Sequence, residues 1–324
     1  MPRVSVILNC YNHRDYVAEA VESVLAQSFA DFELILIDNG STDGSRAVLE
    51  GYKDKRIRRA FHDSNHSLSR RLNEGVALAT GEFVAVLYSD DMMLPDKLER
   101  QVAMFDRLDP EYGVVYAPAI GLNQHSGKRW LNRSFALSGA IFPALLRRHY
   151  DGPVDMASPL TRRECFDRYP FHDDLFADGE AVFWRIALRH KFHFDPQPTV
   201  ILRDHGGNMG KAIAKNHDMV MTILDRLETH ADFPASASNA VEEARALNCL
   251  HNSWVYLRLG GADSAWARAQ LKRALRLRPQ LLARPRFAAS LALALAPAAL
   301  RSTLNRVANR LKARDDNRAL VLDY

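Results

Sequence analysis

Cysteine is scarce in this sequence. Its 324 residues include three cysteines, Cys10, Cys165 and Cys249, which lie far apart along the chain. This spacing matches neither a disulfide framework nor a zinc site, so we expect free thiols in a reducing compartment. The first residues also leave no room for a secretion signal, because strand-like alternation already begins at Val4. Both features favour a cytoplasmic protein.

A glycine-rich phosphate loop is missing as well. No GxGxxG follows the first apolar segment at residues 4–8, which argues against a dinucleotide-dependent dehydrogenase and against a nucleotidyltransferase. Long apolar runs are also lacking. Residues 287–300 are uncharged, but this stretch has only fourteen residues and contains Pro297. It is too short to span a bilayer and is expected, at most, to lie in a membrane interface.

Acidic residues are absent from residues 264–314, which contain twelve lysines or arginines. The remainder of the chain carries 31 basic and 39 acidic residues, so the net charge of +4 hides a basic tail on an acidic body. A basic, amphipathic tail predicts an anionic partner, either a phospholipid surface or a phosphorylated acceptor, and no nucleic acid is expected. The alternative is a helical cap with solvated arginines. The predicted apolar stripe is Leu300, Leu304, Val307, Ala308 and Leu311.

Apolar runs and helical periodicity alternate through the first part of the chain. The predicted strands are residues 4–8, 32–38, 57–61 and 82–91, and the predicted helices are 16–27, 44–50, 68–79 and 95–108. This order predicts an α/β fold with a mostly parallel sheet and helices on both faces. Beyond about residue 213 the pattern is helical throughout.

Polar clusters follow three of the predicted strands, beginning at Asn9, at Asp38 and at Ser89. Ligands of parallel sheets bind at the carboxyl ends of the strands, so the three clusters predict one polar crevice. The adjacent carboxylates Asp90 and Asp91 repel each other unless a cation lies between them. A solvated turn is the alternative for each cluster.

These segments resemble the motifs of family 2 glycosyltransferases. The stretch VSVILNCYNHRDYVAEAVESVLAQSFADFELILIDNGSTDGS resembles the family's N-terminal signature, and the similarity continues through NHSLSRRLNEG, SDDMMLPDKLERQV, DLFADGEAVFWRIALRHKF and VILRDHGGNM. It covers roughly residues 2–210. The resemblance implies a GT-A catalytic domain at residues 1–212 and a helical basic extension at 213–324. It also implies a metal-dependent, hexosyl-type sugar transfer with inversion, from a nucleotide diphosphate to a glycan or lipid-linked acceptor in cell-surface polysaccharide assembly.

The resemblance also implies a nucleotide site. Asp38 takes the position of a family Asp that accepts a hydrogen bond from uracil N3–H, which favours UDP- or dTDP-sugars and leaves GDP-sugars open. In NHSLSRRLNEG, Leu72 takes the usual Arg position, so Arg70 or Arg71 is expected to supply the cation near the phosphates. The residues implied at the nucleotide are Asn9, Tyr11, Asp38, Arg70, Arg71 and Asp90.

A Mg²⁺ or Mn²⁺ ion is the implied cofactor. Asp91 is its expected ligand, with Asp90 second and His205 of the RDHGGN motif third. Tyr88 stands where the family more commonly has a first Asp, and it is expected to weaken metal binding or to contact the nucleotide.

The sequence departs most from the family pattern at the position of the catalytic base. Gly179 occupies the position where the family has an Asp. Asp178 is the preferred candidate for the base and Glu180 is the next, and first-turn helix charges are the structural alternative for both. If neither is a base, the protein is a catalytically silent protein that binds sugar nucleotides or acts as a scaffold. The cytoplasm, or the inner face of the cytoplasmic membrane, is the expected location.

Overall fold

The computed structural model describes residues 1–132, 134–208, 212–259 and 263–316, with side chains described up to residue 307. The chain forms two compact units. The first consists of Met1–Leu145 with Asp151–His205, and the second of Leu146–Tyr150 with Gly206–Tyr324. The division into a catalytic domain at residues 1–212 and a helical extension at residues 213–324 stays a prediction.

The strands of the described residues are β1 (Val4–Cys10), β2 (Phe32–Asn39), β3 (Ile57–His62), β4 (Phe83–Tyr88), β5 (Met92–Met93), β6 (Tyr112–Tyr116), β7 (Ala119–Asn123), β8 (Arg129–Asn132), β9 (Leu160–Arg162), β10 (Lys191–Phe194) and β11 (Val200–Asp204). The α-helices are α1 (Val17–Leu25), α2 (Ser45–Gly51), α3 (Leu68–Leu78), α4 (Lys97–Phe105), α5 (Ala144–Arg148), α6 (Arg163–Arg168), α7 (Val182–Ile186), α8 (Ile213–Glu228), α9 (Ser238–Arg258), α10 (Ser264–Leu277), α11 (Pro285–Leu295) and α12 (Ala298–Asp316).

The main sheet has seven strands in the order β10-β6-β9-β4-β1-β2-β3. Strands β1 to β4 pair in parallel, as the sequence predicts, whereas β9 runs antiparallel between β4 and β6. Strands β1 and β2 are buried along their whole length because helices cover both faces of the sheet. Helix α1 contributes one apolar face, with Val17, Ala20, Val21 and Val24 buried.

A second sheet, in the order β5-β11-β7-β8, was not predicted from the sequence. Its strand β5 begins three residues after Ser89 and pairs antiparallel with β11. This pairing brings the segment that follows β11 to the carboxyl end of β4. The small sheet therefore joins two regions that are more than a hundred residues apart in sequence.

The second unit is helical, as predicted. Helix α9 is the longest helix among the described residues of this unit. Its buried side chains pack with those of α10 and α11 around Leu250, Leu271 and Phe287. Pro297 separates α11 from α12. No helix in the described ranges combines the length and the apolar character needed to cross a membrane.

Candidate active site

The carboxyl ends of β1, β2 and β4 lie side by side. Cys10 is in register with Asp38, and Asn9 is in register with Tyr88. The polar clusters that follow these strands therefore share one edge of the sheet, as the sequence predicts. Asn12 Oδ1 accepts a hydrogen bond from the Thr42 backbone N–H over 2.8 Å and ties the first two loops together.

Two buried oxygens at this edge lack a partner. The side chain of Asp38 is fully buried, and its Oδ2 accepts a hydrogen bond from the Ser41 backbone N–H over 3.2 Å. Asp38 Oδ1 and Asn9 Oδ1 have no hydrogen-bond partner among the residues that the structure describes. An unpaired buried acceptor costs roughly 1–3 kcal/mol, so such atoms indicate a place where a ligand donates. Tyr11, which is 40% exposed, stands at the same strand end.

Asp90 lies between two histidines. His205 Nε2 is 3.1 Å from Asp90 Oδ2, and His13 Nδ1 is 3.9 Å from Asp90 Oδ1. One ligand atom from each of the three side chains lies within 4.8 Å of the others. Burial lowers the pKa of His13, against the opposing effect of Asp90, and thereby favours the neutral ring that binds metals. Imidazole nitrogens and a carboxylate fit a divalent cation.

The side chain of Asp91 has a different partner from that of Asp90. Its buried Oδ1 accepts a hydrogen bond from the Arg203 backbone N–H over 2.8 Å, and the Arg203 guanidinium Nε donates to the Asp90 carbonyl over 2.9 Å. Burial, followed by the charge of Asp90, raises the pKa of Asp91. The structure thus groups Asp90 with His205, whereas the sequence-based expectation placed Asp91 first among the metal ligands. The two adjacent carboxylates therefore have different partners, His205 for Asp90 and the Arg203 backbone for Asp91.

The two arginines of the NHSLSRRLNEG motif differ in environment. Arg71 is buried, and its guanidinium donates to Asn39 Oδ1 over 2.8 Å and to Glu74 Oε2 over 3.0 Å. Arg71 is therefore held by protein partners, while the side chain of Arg70 is exposed. Both arginines line a cavity of about 550 Å³, together with His62, Asp63, Ser64, His66 and Glu74.

Asp178 forms a buried ion pair with Arg185. Arg185 Nη1 donates to Asp178 Oδ1 over 3.2 Å, Arg185 Nη2 donates to Oδ2, and the His172 backbone N–H donates to Oδ2 over 3.0 Å. Burial opposes the charge of Asp178, but the hydrogen bonds from His172 and Arg185 outweigh this effect and lower its pKa. A carboxylate stabilised in this way is a weak proton acceptor.

Glu180 has the opposite environment. Gly179 has a φ of +51°, a left-handed conformation that favours glycine, and the chain turns there between the two carboxylates. Burial raises the pKa of Glu180, and the charge of Asp155 adds to this effect. The pKa of Tyr88 is also raised, first by burial and then by Glu180. The charges of Glu180, Tyr88 and Asp155 thus influence one another, and the raised pKa of Glu180 suits a group that takes up a proton.

The sequence of the chain matches a family model. The model described as "Glycosyl transferase family 2" covers residues 5–169. The chain belongs to glycosyl transferase family 2.

Relatives of this family 2 protein include an uncharacterised glycosyltransferase of Nostoc sp. (strain PCC 7120), which is 40% identical over 214 residues, or 64% of this chain and 66% of the relative. TuaG of Bacillus subtilis (strain 168), whose name assigns it to teichuronic acid biosynthesis, is 43% identical over 103 residues, or 31% of this chain and 41% of TuaG. The chain thus spans less than two thirds of the length of these relatives.

Solved structures share the GT-A fold. The structure of S. aureus TarS 1–349 in complex with UDP has a TM-score of 0.64 and 16% identity, covering 95% of this chain and 91% of that one. The mannosyltransferase PcManGT from Pyrobaculum calidifontis, in complex with GDP-Man and Mn²⁺, has a TM-score of 0.59 and 18% identity, covering 93% and 86%. The predicted fold and family are therefore confirmed.

Two residues of the candidate site were missed from the sequence. His13 lies on the loop that follows β1, two residues after Tyr11, and its position beyond a strand end was the available signal. Asp155 accepts hydrogen bonds from the Ala157 and Ser158 backbone N–H groups over 2.8 and 2.6 Å. No sequence motif marked it, because only the folded chain brings it near Tyr88.

Proposed function

We propose that this protein is an inverting glycosyltransferase that moves a sugar from a nucleotide diphosphate, with UDP- or dTDP-sugars favoured, to a hydroxyl of a glycan or lipid-linked acceptor. The observation that carries the proposal is the sheet edge where the unpaired Oδ1 of Asp38, at the end of β2, and the cluster around Asp90, which follows β4, lie on either side of β1. A role in cell-surface polysaccharide assembly has support from the relative TuaG, whose name assigns it to teichuronic acid biosynthesis.

The base of the donor binds at Asp38. A uracil or thymine N3–H supplies the hydrogen bond that Asp38 Oδ1 lacks, and Asn9 Oδ1 accepts from another donor group of the same nucleoside. Tyr11 is exposed at this position and offers a ring face to the base. Arg70, rather than the protein-bound Arg71, is the cation that approaches the phosphates.

The divalent cation binds at Asp90 and His205, beside Asp91. A bound Mg²⁺ or Mn²⁺ would offset the negative charge that develops on the leaving diphosphate. Asp91 contributes chiefly by holding the Arg203 backbone, which fixes the position of His205 two residues later.

Glu180 is the general base. It takes the proton of the acceptor hydroxyl as that oxygen attacks the anomeric carbon, a role that contributes about 10²–10⁴-fold in rate. Asp178, the first candidate from the sequence, instead anchors the turn through Arg185. The buried ion pair of Asp178 with Arg185 supports this assignment, as do the raised pKa of Glu180 and the lowered pKa of Asp178.

The basic C-terminal segment binds an anionic membrane surface at the cytoplasmic face. Helices α11 and α12 expose leucines to solvent, among them Leu295 at 66% and Leu300 at 51%. Exposed leucines within a segment of twelve basic and no acidic residues favour insertion between anionic headgroups.

A second candidate function, a silent nucleotide-sugar-binding protein, is favoured by one observation, the glycine at position 179. Release of UDP or dTDP from a panel of nucleotide sugars, measured with and without acceptor glycans and Mn²⁺, tests the choice. The transferase proposal expects acceptor-dependent release. Binding of UDP without any release under these conditions would support the silent protein.

A further inference from the structure

His13 occupies an unusual place beside the cation site. It follows β1, while Asp90 follows β4 and His205 follows β11, so three separate segments converge on one point. The distance of 3.9 Å between His13 Nδ1 and Asp90 Oδ1 is too long for a hydrogen bond. His13 is therefore close to the Asp90 carboxylate without being hydrogen-bonded to it.

Surrounding groups hold the two imidazoles in place. His13 Nδ1 is 2.8 Å from Ser89 Oγ. The centroids of the His13 and His205 rings are 5.6 Å apart, in an edge-to-face arrangement. The ring of Tyr16 packs against both imidazoles, with its centroid 5.9 Å from that of His13 and 4.8 Å from that of His205. The Arg203 guanidinium covers the ring of Tyr16 at 5.1 Å. Such support orients ligands before a metal arrives.

The donor set separates this site from an ordinary magnesium site. Mg²⁺ prefers oxygen ligands and keeps several waters, whereas imidazole nitrogens favour first-row transition ions. Asp91 is not part of the three-residue cluster, and its Oδ1 accepts a hydrogen bond from the Arg203 backbone N–H.

We propose that His13 is a further ligand of the divalent cation, and that His13 and His205 together make the site prefer a transition ion such as Mn²⁺ over Mg²⁺. The inference rests on the proposed function, since it concerns the cation that accompanies the donor. It adds a selectivity that neither a carboxylate pair nor Asp90 with one histidine would give.

Electron paramagnetic resonance of Mn²⁺ tests the inference on the full chain. Mn²⁺ is titrated alone and with UDP, and Mg²⁺ is then added as competitor. His13→Gln should weaken Mn²⁺ binding by about tenfold or more while changing Mg²⁺ binding little, so that the Mn²⁺/Mg²⁺ preference falls. His193→Gln, on the outer strand β10, is the matched control. Unchanged Mn²⁺ binding in His13→Gln, or equal native affinity for both ions, would overturn the proposal.

A second measurement needs no variant. Electron spin echo spectra of Mn²⁺ bound to the native protein should show nitrogen couplings from two imidazoles, identified by histidine labelling with ¹⁵N. Coupling to one imidazole or to none would contradict the proposal that both His13 and His205 bind the ion. Failure of UDP to bind while Mn²⁺ shows two imidazole couplings would reject the proposed function and leave the metal assignment standing.

Discussion

Arg185 Nη1 donates a hydrogen bond to Asp178 Oδ1 over 3.2 Å inside the protein, where both side chains are almost completely buried. A carboxylate that neutralises a buried arginine is not free to accept a proton from an acceptor. The pair therefore supports the proposal that Asp178 anchors the turn and that Glu180, two residues further along the chain, is the base.

Glu180→Gln should lower kcat by about 10²–10⁴-fold, because glutamine cannot take up the acceptor's proton. The affinity for UDP should stay unchanged, since the proposed role of Glu180 is toward the acceptor hydroxyl and not toward the nucleotide. Steady-state kinetics and calorimetric titration of UDP measure the two quantities separately. Full activity in this variant would remove Glu180 from the mechanism.

Asp178→Asn provides the contrast. Removing one partner of the buried pair should lower the free energy of unfolding by about 3 kcal/mol, because the Arg185 charge loses its compensation. Asp31→Asn, at an exposed position, serves as the control in the same denaturant titration. A stable Asp178→Asn variant with abolished turnover would return the base assignment to Asp178.

Asp38→Asn should change which pyrimidine the protein prefers. Uracil N3–H donates to a carboxylate, whereas cytosine N3 is an acceptor and is repelled by it. We expect the variant to bind UDP about 10- to 100-fold more weakly, because it loses a hydrogen bond to a charged group. It should also discriminate less against CDP. Parallel titrations with UDP and CDP measure the ratio, and an unaltered ratio would contradict the placement of the base.

His149 should make the helical unit sensitive to acid. Burial, together with nearby His251, lowers the pKa of His149 from 6.5 to about 4. The folded protein then binds fewer protons than the unfolded chain between these values, so stability is fully present above about pH 6.5 and is lost as the pH falls toward 4.

Urea unfolding, followed by circular dichroism at about pH 7 and about pH 5, measures this effect. His149→Gln should reduce the difference between the two conditions, whereas His125→Gln, at an exposed hairpin, should leave it intact. The same pH difference in the native protein and in His149→Gln would show that another group is responsible.

The exposed leucines of α11 and α12 should determine vesicle binding. Replacing both Leu295 and Leu300 with serine should weaken binding to vesicles with anionic lipid by about tenfold or more, because each buried leucine is worth roughly 1.5–3 kcal/mol. Binding should also decrease with added salt. Leu131→Ser, at an exposed leucine of β8, is the matched control in sedimentation assays. Equal binding by the native protein and the double variant would argue against this surface.

The sequence predicts the first half of the fold well because its strands are continuous apolar runs between turn residues. The runs that became β2 and β4 could form only buried strands, and their parallel order followed from the intervening helices. Strand β9 could not be foreseen, since three residues carry no periodicity and their position between β4 and β6 depends on distant pairing.

The site was predictable in its location but not in the roles of neighbouring residues. The positions of the strand ends predicted that Asp38 and Asp90 lie at one edge of the sheet. They did not predict how the neighbours Asp90 and Asp91 differ, because that depends on the direction of each side chain. Asp90 faces His205 whereas Asp91 faces the Arg203 backbone, and both contacts join residues more than a hundred positions apart. Sequence spacing carries no information on such contacts.

Calorimetric titration of UDP into the protein, with and without Mn²⁺, tests the central claim most directly. UDP should bind, Mn²⁺ should strengthen this binding by about tenfold or more, and Asp90→Asn should abolish the gain while retaining metal-free binding. Absence of UDP binding under both conditions, or an undiminished Mn²⁺ effect in Asp90→Asn, would contradict the claim.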